Sequence, residues 1–282
     1  MAKHLHIDPF SGIAGDMFLG ALVDLGLDLN AVRAALGDLP VQRPYRITTD
    51  RVERHGIGAV DLKVVLEDED HHHHADHDHS HSHDHHHHHH TGYREIMAMV
   101  EQLDTSPRGR QRAGEVVTVL AEAEARVHGK TLDDIHFHEV GAVDSIVDML
   151  GSVVALELME IDTLSCGVLP ISSGFVKCAH GLMPVPAPAT AYLLQDLPTL
   201  GVDRRGELIT PTGAALVKAL CDRVGPPPAM TMLGVGYGAG DRTDPKVPNL
   251  LRLFLGQSLD TGDLGPLTPE DAASNTHASP RG

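Results

Sequence analysis

The sequence predicts a mixed α/β or α+β fold: layers of short strands and helices with a disordered histidine-rich insertion. Three observations point there. Apolar runs of period two alternate along the chain with runs at helical spacing. Gly and Pro break the chain at most junctions. One internal tract of His, Asp, Ser and Ala holds nothing apolar enough to pack. With 282 residues, 41% of them apolar, the chain can bury a sizeable core.

Taken in order, Leu5 to Asp8 reads as a short strand, and the Gly-broken loop from Phe10 to Asp16 leads into a helix carrying Phe18, Leu19, Leu22, Val23 and Leu25. Asp28 or Asn30 caps a second short helix ending near Gly37. From Tyr45 to Leu66 the period becomes two, with Gly56-Ile57-Gly58 between the runs, so a β-hairpin is expected. Helices follow over Tyr93 to Leu103, Arg112 to His128 (stopped by Gly129), and Ala142 to Leu158. Strands are expected at Leu164 to Leu169, Met230 to Val235 and Leu250 to Leu255, with a helix from Gly213 to Arg223. Pro184 to Thr190 reads as a rigid extended wall. Residues 1–256 form the functional region, interrupted by the insertion at 68–91, and 257–282 read as a flexible tail or linker stub.

The formal charge is −17, which repels nucleic acid and anionic membrane and attracts cations. Aromatic residues are only 3% with no Trp, so base-stacking platforms are not expected. Three dispersed cysteines, Cys166, Cys178 and Cys221, do not make a disulfide framework. No secretory h-region and no spanning apolar stretch is visible, and the sequence predicts a cytoplasmic protein.

Residues 71–90 hold 14 of the 22 histidines: His71, His72, His73, His74, His77, His79, His81, His83, His85, His86, His87, His88, His89 and His90. Neutral imidazole suits nickel, copper, zinc and iron. Interleaved with Asp76, Asp78 and Asp84, these rings offer many exchangeable ligand sets. The terminal run of six resembles an affinity tag, but an internal tract mixed with Asp and Ser favours metal buffering. Such a tract is a depot rather than an active centre.

A sharper constellation is His136-Phe137-His138-Glu139-Val140-Gly141, followed by Asp144 and Asp148. On an extended segment His136 and His138 share a face, whereas on a helix they would point about 200° apart. Asp144 and Asp148, four apart, share one helix face. Two imidazoles and one or two carboxylates suit a divalent metal; a helix cap or a salt bridge by Asp144 is the competing reading. In Gly174-Phe175-Val176-Lys177-Cys178-Ala179-His180-Gly181, Lys177 can lower the pKa of Cys178, with His180 as a proton donor nearby. A buried Cys in a Gly-flanked turn accounts equally well for that segment. Three Gly-rich turns can cradle phosphate through backbone N–H groups. They contribute Ser11, Gly12 and Gly15; Thr210, Thr212 and Gly213, with Thr212 as the expected helix N-cap; and Gly238. Asp8 and Asp16 flank the first turn and can bind a hard cation, although Asp16 can equally cap its helix.

In this order, Asp8 to Met17, the histidine insertion, His136 to Gly141, Gly174 to Gly181, Pro184 to Thr190, Thr210 to Gly213 and Gly236 to Gly240 resemble the nickel-insertion proteins of the lactate racemase cofactor pathway, the nickel-pincer nucleotide cyclometallases. The resemblance covers roughly residues 3–256. It implies insertion of Ni²⁺ into pyridinium-3,5-bisthiocarboxylic acid mononucleotide, forming two Ni–S bonds and one Ni–C bond. It also implies CTP with Mn²⁺ or Mg²⁺, and a lactate racemase-type apoenzyme as downstream recipient. Loss of a ring proton makes His138, Glu139 and His180 candidate bases, beside Lys177 and Cys178. Full-length members continue into a CTP-associated C-terminal domain that this chain lacks, so a separate C-terminal piece is an expected partner. Two other readings stay open: a nickel chaperone or store without catalysis, and a metal-dependent nucleotide or phosphate hydrolase.

Overall fold

The structure, a computed structural model, describes residues 2–67, 91–135, 137, 142–178 and 181–259, with the backbone alone at Cys178. The expected tail beyond residue 259 and the histidine tract therefore lie outside the described residues.

The chain opens with β1 (Lys3–Asp8), then α1 (Gly15–Asp24) and α2 (Leu29–Leu36). Asp28 caps α2 by accepting from the Asn30 backbone, one of the two expected caps. β2 (Tyr45–Arg54) and β3 (Ile57–Leu66) form the expected hairpin, with Arg54 paired to Ile57. Its turn is His55-Gly56, one residue earlier than the glycine spacing suggested. Both turn residues have positive φ, 53° and 80°, matching the strand twist of a two-residue hairpin.

Next come α3 (Tyr93–Gln102), α4 (Pro107–His128) and α5 (Val143–Leu158). α4 starts five residues before the expected Arg112, because Ser106 caps it through the Gly109 N–H and Pro107 takes the first helical position. The expected strand from Leu164 to Leu169 is two strands, β4 (Thr163–Cys166) and β5 (Leu169–Ser173), parted where Gly167 packs on Pro9. β6 (Phe175–Cys178) and β7 (Gly181–Pro184) make a small antiparallel hairpin. The expected extended wall after Pro184 instead turns into α6 (Pro188–Leu193), since Pro188 suits a helix start. β8 (Thr199–Arg205) pairs parallel with β5.

The last helix, α7 (Pro211–Leu220), is capped by Thr210, which accepts from the Gly213 N–H; Thr212 lies inside the first turn. Pro211 fixes that start, and the helix stops short of β9 (Arg223–Val224). β10 (Met230–Ala239) and β11 (Leu250–Ser258) finish the fold. Most of the Gly236–Gly240 stretch, expected as a turn, is therefore strand.

Seven strands form one mixed sheet in the order β2-β3-β10-β11-β1-β4-β9. α1 lies on β3 and β10, α5 packs on α1 and α2, and α4 packs on α3, α5, α6 and α7. Phe18, Leu19 and Leu22 of α1, Ile146 and Leu150 of α5, Leu120 of α4, and Leu5 and Ile7 of β1 are fully or almost fully buried in one core. Each such side chain contributes about 1.5–3 kcal/mol. Close approach of α1 to β10 explains the glycines there: a Cβ on Gly238 would overlap the Met17 backbone carbonyl.

Candidate functional site

Two loops dock on each other to build the site. The Ile13 N–H donates to the Leu208 carbonyl (2.9 Å) and the Thr210 N–H donates to the Ile13 carbonyl (3.0 Å). Gly12, at φ 110°, lies so close to Leu208 that no side chain fits. The Gly15 N–H points to the Thr212 hydroxyl at 3.3 Å, and the hydroxyls of Thr210 and Thr212 are 2.9 Å apart.

This docking brings the N-terminal ends of α1, α5 and α7 to one cavity of about 340 Å³. Among its lining residues are Gly15, Asp16, Lys63, Asp144, Asp148, Glu207, Thr210, Thr212 and Asp241. Each helix start presents a partial positive charge, and all three face the cavity. Gly15 lets α1 press on α5: a Cβ there would stand 2.7 Å from the Asp148 Cβ.

Asp16 and Asp148, both half-buried, form its acidic wall. Burial pushes the Asp16 carboxyl up to about 6, against the opposing pull of the Lys63 charge and of a hydrogen bond from the neighbouring Met17 N–H. That hydrogen bond is 2.7 Å long. Burial also pushes Asp148 well above the carboxylate range, and the charges of Asp16 and Asp144 add to it. The Asp16 N–H bonds the Asp148 carboxylate, yet Asp148 Oδ1 is buried without a partner among the described residues. Lys63 bonds Asp61 at 2.9 Å and also Asp241. Burial opposes its charge, but those two hydrogen bonds outweigh it and hold its pKa raised. One lysine among this many carboxylates leaves the cavity acidic.

Of the residues singled out from sequence, Asp16, Asp144, Asp148, Gly15, Thr210 and Thr212 meet here. Ser11 and Gly12 lie on the loop leading to it, and Gly213 abuts Ile13. Gly238 serves the α1–β10 contact instead. Asp8 is turned away from the cavity and pairs with Arg252, Oδ2 to Nη2 at 2.5 Å. Lys177 is exposed on β6. His136, His138, Glu139, His180 and the Cys178 side chain lie outside the described residues, as do His71 to His90. Their flanks are described. The Glu67 N–H donates to the Pro44 carbonyl and Gln42 donates to the Thr91 hydroxyl, so residues 67 and 91 are both anchored on the 42–44 segment. The Phe137 N–H, between the two histidines of the H-x-H segment, donates to the Thr91 carbonyl at 3.2 Å. Lys63, Glu207 and Asp241 were missed; the only sequence signal was the charged run Asp241-Arg242-Thr243-Asp244 directly after the glycines.

Among the described residues, no three His, Cys, Asp or Glu side chains are arranged as a ready metal cage. Two half-buried carboxylates are what an octahedral hard cation needs when water or substrate oxygens complete its shell. The orphaned Asp148 oxygen and the all-oxygen donors fit Mn²⁺ or Mg²⁺ rather than a soft-ligand site. No helix among the described residues is long and apolar enough to cross a membrane.

The chain matches the nickel insertion protein family over residues 5–278. It is 45% identical over 256 residues to a protein of Citrifermentans bemidjiense, covering 91% of this chain and 62% of that one. It is 43% identical over 255 residues to one from Geobacter sp. strain M21 (90% and 62%), and 44% identical over 257 residues to one from Geobacter metallireducens (91% and 61%). All three are provisionally named as nickel insertion proteins. The chain thus spans about three fifths of the length of these relatives. No solved structure matches. The chain belongs to the nickel insertion protein family.

Proposed function

We propose that the chain is a cyclometallase: it inserts Ni²⁺ into pyridinium-3,5-bisthiocarboxylic acid mononucleotide to give the nickel-pincer cofactor of lactate racemase. The observation that carries this reading is the acidic cavity, where half-buried Asp16 and Asp148 meet three helix starts. A hard cation on the carboxylates and an anionic nucleotide near the helix starts suit the same space.

Nickel is the cargo. Thiocarboxylate sulfurs, being softer than imidazole, draw it from the histidine tract and from His136 and His138. Support for this route is the Phe137–Thr91 hydrogen bond, which ties the H-x-H segment to the residue directly after the tract. α5 starts directly after Ala142, and its first turn carries Asp144 into the cavity. The Ni–C bond forms as the ring C–H proton leaves to a base, with His138, Glu139 or His180 as acceptor, assisted by Lys177 and Cys178 of the β6–β7 hairpin. Asp16 and Asp148 would hold the Mn²⁺ or Mg²⁺ that accompanies CTP use, and that cation would supply charge neutralisation. The C-terminal region that the relatives have beyond this length supplies CTP-dependent turnover, on this chain or as a separate piece, and a lactate racemase-type apoenzyme receives the product. Among the described residues Cys166 and Cys221 are free, consistent with a reducing cytoplasm.

The test is mass-spectrometric detection of the nickelated mononucleotide from purified chain, Ni²⁺, Mn²⁺ or Mg²⁺, CTP and the bisthiocarboxylate, with and without the C-terminal piece. Product in either arm supports the reading; bound nickel without product in both refutes it. The histidine tract favours a second reading, a nickel store. Deleting residues 71–90 separates them: an insertase keeps working when nickel is abundant, whereas a store loses nearly all capacity.

A further inference from the structure

Beside the acidic cavity lies a cationic cluster with the opposite preference. Arg204, at the end of β8, donates from Nη2 to the Ser11 hydroxyl (2.9 Å) and to Asp244 Oδ2 (3.2 Å). Arg242 donates from Nη1 to the Arg205 carbonyl (3.2 Å) and stands 3.7 Å from that same Asp244 oxygen. Two guanidinium groups thus share one carboxylate, and one positive charge is left over. Arg204 Nε and Arg242 Nη2 are buried with no acceptor among the described residues. Buried donors without acceptors cost about 1–3 kcal/mol each, more when charged, unless a ligand or water satisfies them. In a chain of net charge −17, a half-buried arginine pair this poorly neutralised is an exception.

The cluster joins the cavity through the backbone. Asp241, which lines the cavity, precedes Arg242, and Glu207, also lining it, follows Arg204 by three residues. Ser11 begins the loop that ends at Gly15 and Asp16. Arg242 Cδ would lie 3.9 Å from a Cβ on Gly206, whose N–H bonds the Ser173 carbonyl next to the β6–β7 hairpin. The two arginines therefore stand on the chain segments that border the cavity.

We infer that Arg204 and Arg242, with Ser11 ordering Arg204 from behind, form the seat for the phosphate monoester of a pyridinium mononucleotide, with its ring directed to the neighbouring cavity. Planar guanidinium groups present N–H pairs that match phosphate oxygens. The buried Ser11 hydroxyl accepts from Arg204 and orders it, and Asp244 holds both arginines in place without cancelling them. The assignment rests on the reading that the acidic cavity accepts a pyridinium mononucleotide, and it specifies which end of that substrate binds where.

Calorimetric titration of the full chain, without nickel, tests it. The probes are nicotinate mononucleotide, nicotinate riboside (the same molecule without phosphate) and CTP. The mononucleotide should bind about 10- to 100-fold more tightly than the riboside, the worth of one charge-assisted hydrogen bond. Arg242→Gln, which leaves Arg204 paired with Asp244, should remove most of that difference, and Arg242→Lys should restore part of it. Equal affinity for mononucleotide and riboside in the unmutated chain overturns the assignment whatever the variants do. Full discrimination retained by a folded Arg242→Gln, or tighter Arg242-dependent binding of CTP, overturns it as well. Because nickel is absent, failure of insertion leaves this result standing, and loss of phosphate discrimination with insertion intact removes only the seat.

Discussion

Replacing Asp148 by Asn should stabilise the metal-free protein at neutral pH. Asn keeps the size of the side chain and an oxygen to accept the Asp16 N–H, but removes a charge that burial already disfavours. The cost being relieved can be sized from its neighbour. Raising Asp16 from 3.8 to about 6 corresponds to about 3 kcal/mol when it is ionised at pH 7. A raised acid binds its proton more tightly when folded, so this contribution is neutral below pH 4 and becomes a loss as pH climbs through about 6. His6 opposes it in the same window: burial lowers its pKa from 6.5 to about 4, so its stabilising contribution is complete above 6.5 and fades as pH falls. Asp148, raised for the same reason, adds to the Asp16 side of this balance, and the difference between variant and parent isolates the acid pair. Thermal unfolding by circular dichroism in chelator should show Asp148→Asn more stable by about 1–3 kcal/mol at pH 7.5, a few degrees or more in Tm, with the gap closing near pH 4. Millimolar Mn²⁺ should raise the parent's Tm and leave the variant unchanged. A variant less stable than its parent at pH 7.5, or a gap independent of pH, would refute the reasoning.

Other substitutions probe the same construction. Gly15→Ala drives a methyl to 2.7 Å from the Asp148 Cβ. It should cost about 1–3 kcal/mol while abolishing the Mn²⁺-induced Tm shift. Thr210→Ala removes the α7 cap and should cost about 1 kcal/mol in denaturant unfolding, with an unchanged m-value. Ser165→Ala strips a hydroxyl that lies 2.8 Å from both His4 Nε2 and His6 Nδ1. That change should destabilise by about 1–3 kcal/mol without altering nickel bound to the tract.

How far the sequence discloses this molecule depends on how local each feature is. The β2–β3 hairpin and the buried helices α1 and α5 follow from short-range periodicity and glycine placement, and all three are visible in the chain. α4 begins earlier than its apolar spacing suggests because Ser106-Pro107 is a stronger start signal than the first buried residue. Thr210 rather than Thr212 caps α7 for the same reason, with Pro211 between them deciding the matter. The candidate site was legible in pieces: Asp16, Asp144, Asp148 and Thr210 could each be suspected. Their convergence could not be seen, since the Gly15–Thr212 bond spans 197 residues of sequence. Lys63 carries no local mark, and Arg204 and Arg242 sit in short charged runs that resemble any solvated turn. Only the fold brings Arg204 to Ser11, both arginines to Asp244, and Lys63 to Asp241. Gly238 misled because a glycine needed for close helix packing looks the same in sequence as one that cradles phosphate.

The central claim is that nickel enters the mononucleotide at the Asp16–Asp148 cavity rather than on the histidine tract. Nickelated product from Asp148→Asn, measured by mass spectrometry beside its parent and with the C-terminal piece present in both, tests this directly. The variant should fold, still bind nickel on its tract and make little or no product. Product at the parental yield from that variant would contradict it.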